Sequence, residues 1–126
     1  YYIMDYIIPA FSMLALDSIY LSNIGGPLFA KMIKNIQKED MKINMFGAIG
    51  CYILLSVVLY KFIILERKPL SDAFLLGFCI YGIFDFTNIA IFKNYQLIPA
   101  LVDTVWGGVL FYIVTWITYK LLRIKY

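Results

Sequence analysis

Four apolar runs, each close to the length of a bilayer crossing, restrict the folds that this chain can adopt. A transmembrane helix needs about 20 apolar residues to cross ~30 Å of hydrocarbon. Because backbone polar groups have no water to bind inside lipid, runs of this length predict helices that satisfy their own hydrogen bonds. The predicted spans cover about residues 2–23, 44–65, 70–92 and 97–119.

The amino-acid composition places the chain in lipid rather than in water. Of the 126 residues, 63% are hydrophobic and 15% are charged, and the mean hydropathy is +0.81. Soluble domains are ~45–50% apolar and ~25% charged, and a small globule buries only a limited share of its surface. We therefore expect an all-α integral membrane protein, multi-pass, whose four transmembrane helices form an antiparallel bundle in a single domain over residues 1–126.

A short amphipathic helix is predicted between the first two spans, over about residues 28–42. The segment "NIGGP" before it holds two glycines and a proline, which should end the first helix near residue 23. In "LFAKMIKNIQKEDMK" the apolar residues fall on one helical face and the lysines on the other, which is typical of a helix lying on a membrane surface. The alternative is that this stretch extends the first span into water.

Basic residues lie near the ends of the apolar runs, where their side chains can reach the membrane surface. Since the spans alternate in direction, both termini lie on one side, here called side A, and the opposite side is side B. Six basic residues against five do not decide the orientation under the positive-inside rule, and we expect the termini on the cytoplasmic side. No nucleic-acid partner is expected, because no basic face has the necessary reach. Side A carries Lys61, Arg67, Lys68, Lys120, Arg123 and Lys125, and side B carries Lys31, Lys34, Lys38, Lys42 and Lys93.

The chain contains no histidine, which excludes histidine-based acid–base chemistry and argues against zinc, haem and di-iron sites. Cys51 and Cys79 stand inside apolar runs and are interpreted as small buried hydrophobic residues. No metal and no cofactor are therefore expected. An enzyme acting on lipid could use paired carboxylates, but no nucleophile stands beside a base, and we expect no enzymatic activity.

Three acidic residues interrupt the apolar runs at one depth. Asp17 and Asp85 lie six and seven residues before the side-B ends of their spans, and Asp103 lies six residues after the start of the last span. At ~1.5 Å per residue, all three lie ~9–10 Å inside side B. The second span reaches this depth near Gly50 and Cys51, and so contributes small residues there.

The neighbours of these acids extend a polar layer across the bundle. Asp85 and Asn88 are three residues apart and share a helix face, and Lys93 just beyond the span could reach back toward the layer. Small residues at this level let helices approach closely. The predicted polar or ion-binding residues are Asp17, Asp85, Thr87, Asn88, Asp103 and Trp106, supported by Ser18, Tyr20, Tyr81, Lys93, Thr104 and Gly107.

The polar layer permits two interpretations. A carboxylate facing lipid costs several kcal/mol, so the acids should face one another, with one protonated or a cation between them. In the first interpretation, the layer binds a proton or a cation, and the protein is a small transporter or channel component. Because the chain has only four short helices, we expect such a component to be a homo-oligomer. Alternatively, the layer only fixes helix packing in a structural subunit of a larger membrane complex, for example a viral or respiratory-type assembly. Both have the lipid bilayer as partner.

Two sequence segments carry a family resemblance. "GFCIYGIFDFTNIAIFKNY" followed by "VDTVWGG" resembles the predicted membrane proteins of domain-of-unknown-function family 2177, and "LDSIYLSNIGGPLFAKMI" looks like the opening stretch of that family. The resemblance spans about Leu14 to Trp116. Its most specific part is Asp-x-Thr-Asn at 85–88 together with Asp-x-x-Trp-Gly at 103–107.

The resemblance implies a four-helix membrane architecture and no settled activity. Phe84 stands where the family often has tyrosine, which removes a hydroxyl beside Asp85, and Tyr95 stands where it often has tryptophan. Similar proteins occur in bacteria, algae and large DNA viruses. The family's polar positions fall on Asp17, Asp85, Thr87, Asn88, Lys93, Asp103, Trp106 and Gly107.

Overall fold

The computed structural model describes residues 2–125, and over that range it contains helices and no strands. Four of its helical segments are long and apolar enough to cross a membrane, which confirms the predicted all-α architecture. The elements in chain order are α1 (Tyr2–Tyr20), a π-helical turn (Leu21–Gly25), α2 (Gly26–Gln37), α3 (Met45–Leu59), a second π-helical turn (Tyr60–Ile64), α4 (Leu70–Ile91) and α5 (Leu97–Leu121).

The first helix does not end at "NIGGP", which corrects the prediction of a stop near residue 23. The helical segment runs without a break from Ile3 to Gln37, and the Gly26 N–H bonds to the carbonyl oxygen of Leu21, five residues earlier. A π-helical turn accommodates one extra residue, and Pro27 follows it in the first turn of α2, where the missing N–H of proline is tolerated. The amphipathic stretch is thus an extension of the first helix.

The apolar face of α2 packs against the loop between α4 and α5. Met32 is 1% exposed and lies in one cluster with Tyr95 and Ala100. The Gln96 backbone N–H also points at the Met32 sulfur, 3.1 Å away. On the opposite face Lys31 is exposed, as the amphipathic pattern predicts. α2 therefore covers the side-B end of the bundle at the point where α5 begins.

α5 is the central helix of the bundle. It packs along its length against α4 and on its other side against α1, which in turn packs against α3. Glycines allow the α4–α5 contact: a Cβ atom on Gly107 would overlap the Tyr81 ring and the Gly77 carbonyl oxygen. Among the described helices α4 packs closely only against α5, so α4 and α3 stand apart.

An apolar core fills the side-A half of the bundle, and apolar side chains also cover much of its outside. Met13, Leu59 and Phe111 are fully buried in that core. Outward-facing apolar residues suit acyl chains as surroundings. Cys51 and Cys79 are exposed, which corrects the prediction that they are buried, because they lie on faces of α3 and α4 that no other helix covers.

Candidate functional site

The three predicted acids are buried together although they come from three helices. The exposed fractions are 6% for Asp17 on α1, 0% for Asp85 on α4 and 9% for Asp103 on α5. The ion pairs within residues 2–125 lie on the surface and involve other acids. The buried carboxyl groups are therefore held by hydrogen bonds from uncharged side chains rather than by lysine or arginine.

Asp17 accepts hydrogen bonds on both of its carboxyl oxygens. The Trp106 indole Nε1–H of α5 donates to Oδ1 at 2.8 Å, and the Tyr52 hydroxyl of α3 donates to Oδ2. Asp17 thereby ties α1 to two other helices. Tyr52 was not predicted as a site residue, although it directly follows Cys51, which was expected at the depth of the acids.

Asp103 is linked to the same aromatic side chains. The Tyr20 hydroxyl donates to its Oδ1 at 3.3 Å. The Tyr20 ring stacks on Trp106, with ring centroids 4.7 Å apart and planes inclined by 6°. One stacked pair of rings therefore holds Asp17 through the indole and Asp103 through the phenol.

Asp85 is the third acid of this network, and only one of its two carboxyl oxygens accepts a hydrogen bond. Its Oδ1 accepts a hydrogen bond from the Tyr95 hydroxyl at 2.9 Å, whereas its Oδ2 is buried and has no donor. The Asp103 carboxyl group of α5 is its neighbour across the α4–α5 contact and interacts with it electrostatically. Carboxylates can only accept hydrogen bonds, so the two acids can bond to each other only when one of them carries a proton.

Tyr95 connects Asp85 to the side-B surface and lies outside the membrane-spanning helices. Burial raises the pKa of the Tyr95 hydroxyl, and its hydrogen bond to Asp85 acts in the same direction, so it stays a donor at ordinary pH. Tyr95 also lines an open surface cleft of about 500 Å³ together with Lys38 and Lys93. From the sequence, Tyr95 stood out only as a departure from the family pattern, and its contact with Asp85 was not predicted.

Three predicted residues lie outside the buried layer. Thr87 and Ser18 are exposed: Thr87 is two residues from Asp85, about 200° around the helix, and Ser18 is one residue from Asp17. Lys93 is also exposed and lines the surface cleft. Thr87 was predicted as a polar-layer residue and Ser18 and Lys93 as supporting residues, and the structure places all three side chains at the surface.

The other predicted residues surround the acids. Asn88 and Tyr81 are half-buried, and Thr104 and Gly107 are buried. The Thr104 hydroxyl bonds to the Ala100 carbonyl oxygen at 2.8 Å, within its own helix. These four residues are therefore at least partly buried within the bundle, unlike Ser18, Thr87 and Lys93.

A cavity of about 320 Å³ lies where α3 and α4 stand apart. Asp17, Asp103 and Tyr52 form its polar wall, while Leu55 and Ile80 contribute to its apolar wall. The carboxyl layer is therefore bordered by a surface cleft on side B and by a cavity between helices. Within residues 2–125, no three Asp, Glu or Cys side chains are grouped as ligands for a metal ion.

Comparison with known proteins identifies a family. A family model described as predicted membrane protein (DUF2177) matches residues 2–120. No curated protein matches the chain, and neither does any solved structure. The match covers all four candidate spans except the last residue of α5, and the chain therefore belongs to the DUF2177 family of predicted membrane proteins.

Proposed function

We propose that the protein binds and releases protons at the Asp85–Asp103 pair, as the proton-handling part of a small membrane transporter or channel. The observation that carries this proposal is the fully buried Asp85 Oδ2, which has no donor although the Asp103 carboxyl group is an electrostatic neighbour. Two neighbouring carboxyl groups disfavour being ionised together. A single proton between them supplies the missing donor and removes the repulsion.

Proton exchange with side B follows from the position of Tyr95. Its hydroxyl contacts Asp85 at 2.9 Å, and the same residue lines the surface cleft. A hydroxyl both donates and accepts hydrogen bonds, so it can pass a proton between water in the cleft and the carboxyl pair. Phe84, which stands where the family often has tyrosine, does not interrupt the proposed proton route, because the hydroxyl that contacts Asp85 belongs to Tyr95.

Access from side A is closed in this conformation. Beyond Asp17 and Tyr52, the side-A half of the bundle is packed by apolar residues such as Met13 and Leu110. We infer that the site exchanges protons with water on side B alone, and that transport requires a rearrangement or a second copy of the chain to open it toward water on side A. Transporter sites near the middle of the membrane commonly alternate in this way.

Proton uptake into liposomes tests the proposal. The purified chain is reconstituted with a pH-sensitive dye inside, and a potassium gradient with valinomycin drives proton entry. We expect dye acidification with the unmodified chain and its loss in Asp85→Asn and Asp103→Asn. Asp72→Asn is the matched control, since Asp72 is an exposed aspartate in the first turn of the same helix, α4. Uptake that is equal in all four proteins would falsify proton binding at the pair.

A structural subunit is the second candidate, because each acid joins separate parts of the fold. Asp17 bonds to α3 and α5, Asp103 bonds to α1, and Asp85 bonds to the loop before α5. Under this alternative, the Asp→Asn variants lower resistance to unfolding, the unmodified chain gives no proton flux, and the chain co-purifies with a second membrane protein at fixed stoichiometry.

A further inference from the structure

The cavity between α3 and α4 has the form of a site that is entered from lipid. Leu21 and Phe84 line it and are 41% and 57% exposed, so it opens at the outer surface of the bundle between two spans. From this opening, apolar side chains lead inward to the carboxyl groups of Asp17 and Asp103. A molecule in the cavity therefore has an apolar part near the lipid and a polar part at the acids.

The inner end of the cavity presents two carboxyl groups, those of Asp17 and Asp103, and among the described residues no basic side chain faces them from the cavity wall. Behind Asp103, the fully buried Asp85 Oδ2 has no donor. Complementary charge is what selects a partner for such a wall. A cation meets this requirement, whereas a phosphate-bearing headgroup places a second negative charge beside the acids.

We propose that this cavity binds the ammonium head of a single-chain lipophilic amine, with the head at Asp17 and Asp103 and the chain leading out into lipid. The volume of about 320 Å³ equals roughly ten water molecules at ~30 Å³ each, which is enough for an ammonium group and the first few methylenes. The inference goes beyond proton binding, because it requires Asp17 and the open cavity but no proton on Asp85.

Fluorescence of Trp106 provides a direct readout of occupancy, since its indole N–H bonds to Asp17. The chain has two tryptophans, and Trp116→Phe leaves Trp106 as the single fluorophore. This protein, in phosphatidylcholine nanodiscs, is titrated with dodecylammonium and, separately, with dodecanol, which has the same chain and a neutral head. We expect a saturable emission change with dodecylammonium and none with dodecanol.

Two variants on that background test the site. Asp17→Asn replaces the carboxyl group at the proposed head position by a neutral amide, and we expect affinity to fall about tenfold or more. Ala48→Phe places a large side chain in the cavity, because Ala48 lines it, and it leaves every side chain of the hydrogen-bond network unsubstituted. We expect binding to be lost in this variant even if Asp17→Asn fails to fold. Asp72 lies outside this cavity, so Asp72→Asn should bind dodecylammonium with unchanged affinity.

The outcome is separable from the proton proposal. Dodecylammonium binding that survives in Asp85→Asn, together with loss of proton uptake, supports both inferences independently. Equal responses to dodecylammonium and dodecanol, or binding that is unchanged in Ala48→Phe, would overturn the amine site while leaving proton binding at Asp85 and Asp103 intact.

Discussion

Tyr20 and Trp106 form a parallel stack in the bundle, with ring centroids 4.7 Å apart, and each ring holds a different buried acid. The phenol donates to Asp103 and the indole donates to Asp17. Because the rings come from α1 and α5, their stacking fixes the spacing of two carboxyl groups across a helix interface. The stack thereby holds both Asp17 and Asp103 at the cavity wall, and Asp103 also interacts with Asp85.

Trp106→Phe is expected to destabilise the protein. Phenylalanine keeps an aromatic ring next to Tyr20 but removes the donor to Asp17 Oδ1. Hydrogen bonds in membrane proteins average ~0.6 kcal/mol, but a buried acceptor left without a donor costs ~1–3 kcal/mol. Unfolding in mixed micelles at increasing dodecyl sulfate measures the loss. Trp116→Phe is the control, since Trp116 is 45% exposed, and an equal loss in both variants contradicts the role of the indole N–H.

Tyr95→Phe is expected to slow proton uptake from side B. The substitution keeps the ring that packs in the cluster with Met32 but removes the hydroxyl that donates to Asp85 Oδ1. Initial rates of acidification in the liposome assay measure the effect. Tyr112→Phe removes a hydroxyl that is exposed on α5 and should leave the rate unchanged. A Tyr95→Phe rate equal to that of the unmodified chain rules out Tyr95 as the route.

Gly107→Val is expected to separate α4 from α5. A side chain at this position overlaps the Tyr81 ring and the Gly77 backbone, and overpacking of this kind costs ~1–3 kcal/mol. Gly50→Ala is the matched control, because nothing lies within 4 Å of a Cβ atom added there and alanine is the better helix former. The same unfolding assay distinguishes them, and a neutral Gly107→Val would contradict the close helix approach.

Met32→Ala is expected to release α2 from the α4–α5 loop. The Met32 side chain is 1% exposed, and truncating a buried methionine costs ~2–5 kcal/mol. Hydrogen exchange of the α2 amides should accelerate while α4 and α5 stay protected. Met45→Ala removes a side chain that is 64% exposed and should leave the pattern unchanged. Unaltered exchange in Met32→Ala contradicts the docking of α2.

The four-helix architecture could be predicted because membrane thickness sets a length that apolar runs must match. α4 was expected over 70–92 and is observed over Leu70–Ile91. The end of the first helix could not be predicted in the same way. Paired glycines such as Gly25 and Gly26 usually end a helix. Here Gly25 packs against the Tyr20 ring, and the π-helical turn continues the first helix into α2.

The acids of the site could be predicted from depth, whereas their partners could not. Spacing along each span placed Asp17, Asp85 and Asp103 at one level, because the rise per residue is constant, and the three acids are buried in the structure. The hydroxyl donors Tyr52 and Tyr95 come from another helix and from a loop. Their contacts depend on how the helices rotate and pack, which no spacing within a single span encodes.

Infrared spectroscopy of the reconstituted protein at neutral pH tests the central claim, that one proton is held between Asp85 and Asp103. The account predicts a carbonyl stretch of a protonated carboxylic acid, which disappears in the double variant Asp85→Asn/Asp103→Asn and persists in Asp72→Asn. Absence of the band from the unmodified chain, or its persistence in the double variant, would contradict the shared proton.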